Sequence, residues 1–197
     1  MKTTVSDYIA NFFVKKNITQ VFSVVGGGAM YLNDSLGHHK NLNIIYNHHE
    51  QAASIAAESY ARLCNKPAIV CTTSGPGGTN AITGCLCGYM GSIPMIFLSG
   101  QVRYPFTPKG YGFPLRTIGE QEFDICKSIS AMTKYSQMIV EPESVKYHLQ
   151  KSLYLATTGR PGPVWLDIPL DVQNALVDER NLYPFSKNEI LDNNCLL

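Results

Sequence analysis

The stretch A-I-V-C-T-T-S-G-P-G-G-T-N, from Ala68 to Asn80, passes abruptly from apolar residues and threonines into a turn built of glycine and proline. A short continuous apolar run closed by turn residues reads as a strand buried on both faces, here Ala68 to Thr73. Ser74 to Asn80 is the turn, and the apolar helix after it runs through about Met90. A strand buried on both faces needs helices above and below it. The expected fold class is therefore α/β, a doubly wound and mainly parallel sheet with helices on both faces.

The same alternation extends in both directions. Met1 to Lys16 places Val5, Tyr8, Ile9, Phe12 and Phe13 on one side, broken by Asp7 and Asn11, which is an amphipathic helix and not a signal peptide. Gln20 to Val25 is a short buried strand ended by Gly26, Gly27 and Gly28. A helix from about Ala29 to Leu36 follows, with Gly37 as its C-cap at positive φ. Asn43 to His48 is a strand that feeds the helix Glu50 to Leu63, where Glu58 and Arg62 form an i, i+4 surface pair. Downstream, Met95 to Ser99 is a strand, and Gly100 to Gly119, with Pro105, Pro108 and Pro114, is a loop long enough to be functional or mobile. Tyr135 to Val140 is a strand, Glu141 to Thr157 a helix and Val164 to Ile168 the last strand. After Asp171 the periodicity dissolves, so the domain is expected over 1–173, with 174–197 as a linker or tail toward a further domain.

With 197 residues, 45% hydrophobic and 16% charged, the chain can bury a full core. Its net charge of +1 excludes recruitment of nucleic acid or an anionic membrane by overall field. No apolar run approaches the ~20 residues that span a bilayer. Cys64, Cys71, Cys85, Cys87, Cys126 and Cys195 lack paired C-x-x-C spacing and read as reduced and buried, which suits a cytoplasmic protein.

Open α/β sheets bind ligands at the carboxyl ends of their strands. Four segments lie there: Val25 to Gly28, His48 to Gln51, Ser74 to Asn80 and Gly100 to Gln121. The glycines at 26 to 28 serve either turn geometry or close backbone approach to a ligand, and they do not form G-x-G-x-x-G. Glu50 stands between a strand and an alanine-rich helix, so it is either a helix-start acid or a carboxylate projecting into the crevice. His48 and His49 are adjacent, point to opposite faces, and make no metal site. Ser74 to Asn80 has neither the lysine of a P-loop nor the frame of a nucleophile elbow. Gly84, Gly88 and Gly91 make a small-residue stripe that serves core packing or a subunit interface.

Several stretches, in one order, carry a family resemblance: V-F-S-V-V-G-G-G-A-M, N-H-H-E-Q-A-A, E-S-Y-A-R, T-S-G-P-G-G-T-N-A-I-T-G, S-I-P-M-I-F-L-S-G-Q-V, Q-E-F-D-I and T-G-R-P-G-P-V-W-L-D-I-P-L-D-V-Q. Residues 3 to 173 resemble the N-terminal, pyrimidine-binding domain of thiamine diphosphate enzymes of the acetohydroxyacid synthase (acetolactate synthase) type. The resemblance implies that Glu50 hydrogen-bonds N1' of the aminopyrimidine and drives activation of the thiazolium C2. It implies that Val25, Gly26 and Gly27 pack against the pyrimidine, that Ser74, Gly75, Pro76 and Asn80 face the same ring, and that Gln121 lies near the reacting carbon. Arg160 matches an arginine that contacts FAD in flavin-containing members, which makes FAD an optional cofactor.

Val25 replaces a proline common in that family's turn, Ser23 replaces a glycine, and Glu120 stands where synthases commonly have Phe. The resemblance also implies Mg²⁺ and a diphosphate-binding domain carrying G-D-G, a sequence that these residues do not contain. Its implied setting is a homodimer or tetramer acting on a 2-keto acid by decarboxylation or carboligation, with the second domain in the same or another chain. By itself the chain is then half of an active site. Three other readings stay open: the pyrimidine-binding subunit of a split decarboxylase, a non-catalytic cofactor-binding remnant, and a flavoprotein or nucleotide binder without thiamine chemistry.

Overall fold

The computed structural model describes residues 2–191. In chain order the strands are β1 (Lys2–Thr4), β2 (Gln20–Ser23), β3 (Asn43–Tyr46), β4 (Ala68–Thr72), β5 (Met95–Gln101), β6 (Tyr135–Met138), β7 (Val164–Pro169) and β8 (Leu176–Asp178). The helices are α1 (Val5–Lys15), α2 (Met30–His38), α3 (Glu50–Cys64), α4 (Pro76–Asn80), α5 (Ile82–Gly91), α6 (Pro108–Tyr111), α7 (Ile125–Ser128), α8 (Val145–Thr157), α9 (Leu170–Gln173) and α10 (Asn188–Leu191). Six strands form one sheet in the order β3-β2-β4-β5-β7-β6, and each neighbouring pair in it is parallel.

Alternation along the buried strands splits the apolar residues between two cores. Val21, Ile69, Ile96, Leu98, Val164, Leu166 and Ile168 face one layer, with Ile9 and Phe13 of α1, Leu32 and Leu36 of α2 and Leu149 of α8. Phe22, Val70, Met95, Phe97 and Trp165 face the other, closed by Ala53, Ala57 and Ala61 of α3 and Cys85 of α5. There the Phe97 and Trp165 rings stack at 4.5 Å between centroids. Side chains of this size, fully buried, stabilise by about 1.5–3 kcal/mol each, which is why β4 and β5 at the centre carry no exposed residue. The edge strand β3 keeps Ile45 and Tyr46 exposed.

Several expectations are corrected. The first helix starts only at Val5, where the Thr4 side chain caps it by accepting from the Asp7 amide at 3.1 Å. Lys2–Thr4 instead pairs antiparallel with Leu176–Asp178. Gly37 lies inside α2 without positive φ; its lack of a side chain admits the Tyr46 hydroxyl, which a Cβ would meet at 2.8 Å. The turn after β4 is already helical from Pro76, and the helix breaks at Ala81 instead of running unbroken. Glu58 is buried although its partner Arg62 is exposed. Among the cysteines, Cys71 and Cys85 are buried, Cys64 and Cys87 are exposed, and Cys126 is intermediate. Cys195 lies outside the described residues. No helix among the described residues is long and apolar enough to cross a membrane.

The glycine stripe of α5 is spent inside the chain. A Cβ on Gly84 would lie 2.6 Å from the Ser54 carbonyl carbon of α3, and one on Gly88 would meet the Met95 sulfur of β5.

Candidate functional site

The chain runs from β2 outward to β3 and then returns to lay β4 on the other side of β2. Such a reversal opens a crevice outside the carboxyl ends of the strands. Two turns border it, residues 24–28 leaving β2 and residues 73–77 leaving β4.

Thr73 joins the two turns. Its Oγ1 accepts the Gly28 N–H at 2.9 Å, and a Cβ on Gly26 would fall 2.5 Å from the Thr73 side chain. Gly26 is extended, so close approach and not positive φ excludes a side chain there. From the core, fully buried Gln173 donates to the carbonyls of Gly28 and Ile168, each at 2.7 Å, and accepts from the Leu32 amide at 3.3 Å. Neither residue stands out in the sequence, because each acts on the backbone of a remote turn. Gln173 ends the short α9, four residues past the end of β7.

Glu50 opens α3, where the Nδ1 of the capping His49 accepts from the Gln51 amide at 3.1 Å. It is only 8% exposed. Its Oε2 accepts from Asn80 Nδ2 at 3.0 Å, a bond that ties the start of α3 to the end of α4. Oε1 takes no hydrogen bond from any described residue. It lies near Gly77, where an added Cβ would meet it in ordinary contact at 3.4 Å and would first collide with Thr73 Cγ2 at 2.7 Å. A helix-start acid needs only its own N-terminus, worth about 0.3–1 kcal/mol. The bond from Asn80 is an additional feature, and it leaves the other carboxylate oxygen unclaimed at the border of the crevice.

Gly75 takes φ +54, and a side chain on it would collide with the Gln121 carbonyl oxygen. Gln121, at φ +56, is thereby laid over the glycine turn. Ser74 is buried beside Gly28, Pro76 starts α4 on the surface, and Val25 is 63% exposed. Val25, Gly26, Gly27, Glu50, Ser74, Gly75, Pro76, Asn80 and Gln121 therefore collect at one edge of the sheet. Arg160 does not join them. It precedes β7 at the opposite, amino edge, where it donates to Ser92 Oγ at 2.8 Å and helps line a cavity of about 640 Å³ with Tyr89, Lys134 and Tyr135. Ser23 is satisfied within the fold, donating to the Cys71 carbonyl at 3.1 Å.

Residues 3–128 match the family model of the thiamine pyrophosphate enzyme, N-terminal TPP binding domain. The chain belongs to this family. Among curated TPP enzymes it is 32% identical over 174 residues to the chloroplastic acetolactate synthase of Arabidopsis thaliana, a match covering 87% of this chain and 24% of that protein. It is 35% identical over 169 residues to the acetolactate synthase isozyme 3 large subunit of Escherichia coli, covering 86% of this chain and 28% of the relative. With the acetolactate synthase large subunit of Haemophilus influenzae the identity is 37% over 162 residues, covering 81% and 26%. The chain thus spans about a quarter of the length of the curated relatives it matches.

The crevice of this TPP-binding domain suits an aminopyrimidine. A nearly dry carboxylate with one oxygen unclaimed can bond a ring nitrogen, and Gly27, beside which an added Cβ would meet nothing, leaves open space next to the exposed apolar Val25. Among the described residues no cluster of three His, Cys, Asp or Glu side chains could hold a metal ion.

Proposed function

We propose that this chain is the pyrimidine-binding half of an acetolactate synthase-like thiamine diphosphate enzyme that decarboxylates or carboligates a 2-keto acid. Bound there, thiamine diphosphate would supply a carbon able to become a nucleophile and to accept the electrons left by decarboxylation. Glu50 Oε1 would hold a ring nitrogen of the bound cofactor and exchange a proton with it, while Asn80 holds the carboxyl in place through Oε2 and the two glycine turns would border the ring. Gln121, laid over the Gly75 turn, would lie near the reacting carbon. The observation that carries this reading is Glu50, buried, held by Asn80 on one oxygen and free on the other.

The diphosphate and Mg²⁺ are assigned to a second domain, in the same or another chain, and the assembly to a homodimer or tetramer in the cytoplasm. FAD remains an optional cofactor at Arg160. The test is exchange of the thiamine diphosphate C2 proton for deuterium, followed by NMR with Mg²⁺ in the protein joined to its diphosphate-binding partner. Glu50→Gln lowers that rate by more than tenfold, which is more than about 1.4 kcal/mol of barrier, with an unchanged circular dichroism spectrum. Exchange retained within tenfold removes Glu50 from this role.

A further inference from the structure

Behind the crevice, β5 and β7 share a buried polar relay that the proposed chemistry does not use. Asp167, near the middle of β7, is 1% exposed. Its Oδ1 accepts from Ser99 Oγ at 2.6 Å and its Oδ2 from Gln101 Nε2 at 3.1 Å. Trp165 Nε1 donates to Ser99 Oγ at 2.8 Å, so the single hydroxyl proton of Ser99 is directed to Asp167. The second amide hydrogen of Gln101 goes to the Phe123 carbonyl at 3.0 Å, and Oε1 accepts from the Val102 amide at 3.0 Å. The whole Gln101 amide is engaged. Phe123 lies two residues beyond Gln121, whose carbonyl covers Gly75.

We propose that Asp167 is a positioning residue: as a carboxylate it orients Gln101 to grip the Phe123 carbonyl, which fixes segment 119–124 with Gln121 over the glycine turn, and on protonation the grip is released. Its bearing on catalysis rests on the function proposed above, whereas the latch does not. The polarity of the relay supplies the reason. A proton on Oδ2 confronts the Gln101 N–H. Inverting the amide to receive that proton turns Oε1 against the Phe123 carbonyl and Nε2 against the Val102 N–H. A proton on Oδ1 displaces the Ser99 hydroxyl and leaves Gln101 in place, so protonation at Oδ2 is what releases the grip: both arrangements of the Gln101 amide then leave a buried polar group badly paired.

Burial pushes the Asp167 carboxyl up to about 7, opposed by the bonds from Ser99 and Gln101 and reinforced by the charges of Asp124 and Glu122. From α7 the Cys126 thiol also faces it, held neutral by burial. On β6 its register partner is the uncharged Met138. The release therefore falls near neutral pH.

Hydrogen–deuterium exchange of the 197-residue chain between pH 5.5 and 8, corrected for intrinsic rates, reads the latch directly. Protection of the Glu122 amide, bonded to the Gly119 carbonyl, and of the Ile125 amide, bonded to the Phe123 carbonyl, should fall at least tenfold at the acid end while β2 stays protected, and the ¹³C resonance of the Asp167 carboxyl should titrate over the same range. Asp167→Asn should abolish the pH dependence. Gln101→Met should leave the segment loose at every pH while Asp167 still titrates, so the test survives if Asp167→Asn does not fold. Unchanged protection of the wild-type segment across the range overturns the proposal. So does a pH dependence that persists in Asp167→Asn, which would assign it to Glu122 or Asp124. Failure of the thiamine reading would appear separately, in the C2 exchange of Glu50→Gln.

Discussion

Gly84 of α5 stands against Ser54 of α3 so closely that an added Cβ would lie 2.6 Å from the Ser54 carbonyl carbon. The two helices that cover one face of the sheet touch there backbone to backbone. Gly84→Ala should therefore destabilise by about 1–3 kcal/mol, as overpacking does. Gly91→Ala on the same helix meets the movable Arg62 guanidinium and should be neutral or stabilising. Urea midpoints of the two variants check the contrast, and equal midpoints would show that α5 can shift.

Gln173 holds three backbone groups in a fully buried place, the carbonyls of Gly28 and Ile168 and the amide of Leu32. Gln173→Leu keeps the volume and strips all three of their partner. A buried group left unsatisfied costs about 1–3 kcal/mol, so the expected loss is at least about 2 kcal/mol, with faster exchange of the amides of residues 26–28. A loss under about 0.5 kcal/mol would mean that water takes over the bonds.

The Tyr135 hydroxyl lies 2.7 Å from Nδ1 of His148. Burial first, and the charge of Lys151 second, hold this imidazole down to about 4, against an ordinary value of 6.5. Between those values the unfolded chain binds a proton that the folded chain refuses. The stability tied to neutral His148 is thus fully present above pH 6.5 and is lost as the pH falls through about 4. Urea midpoints from pH 7 to 4.5 should decline less steeply for His148→Phe than for the wild type, and parallel declines would refute the assignment.

Exposed Cys64 and Cys87 should alkylate with iodoacetamide at pH 8 in the native protein. Burial pushes the Cys71 and Cys85 thiols up to about 12 and raises that of Cys126 as well, so these three should label only after unfolding. Peptide mass mapping decides it: native labelling of Cys71 or Cys85 would show that the sheet opens.

The central strands were legible to within a residue or two because burial on both faces leaves an uninterrupted apolar run, as in β4 and β5. Their ends were less so: Val24 and Val25 remain apolar after the chain has left the sheet, since Val25 faces the crevice. The ribbon of β1 and β8 left no signal, because three-residue strands draw their order from a partner at the other end of the sequence. Glu50 was legible from its place between strand and helix. Its restraint by Asn80 was foreshadowed only by family resemblance, and Thr73 and Gln173 escaped notice because a side chain that serves a distant backbone makes no local pattern. Arg160 precedes the last strand of a parallel sheet, so its place at the amino edge, apart from the other candidates, was legible in the element order.

The β1–β8 ribbon also sets an order of events in folding. Thr3 and Val177 cannot pair until nearly the whole domain has been synthesised, and the loop they close is entropically costly unless something else has already drawn its ends together. The parallel sheet does that, seating α1 against its face with Val5 beside Ala175. The ribbon is then expected to close after the sheet and to open before it, which would make the amides of residues 2–4 a gauge of whether the rest of the domain has formed.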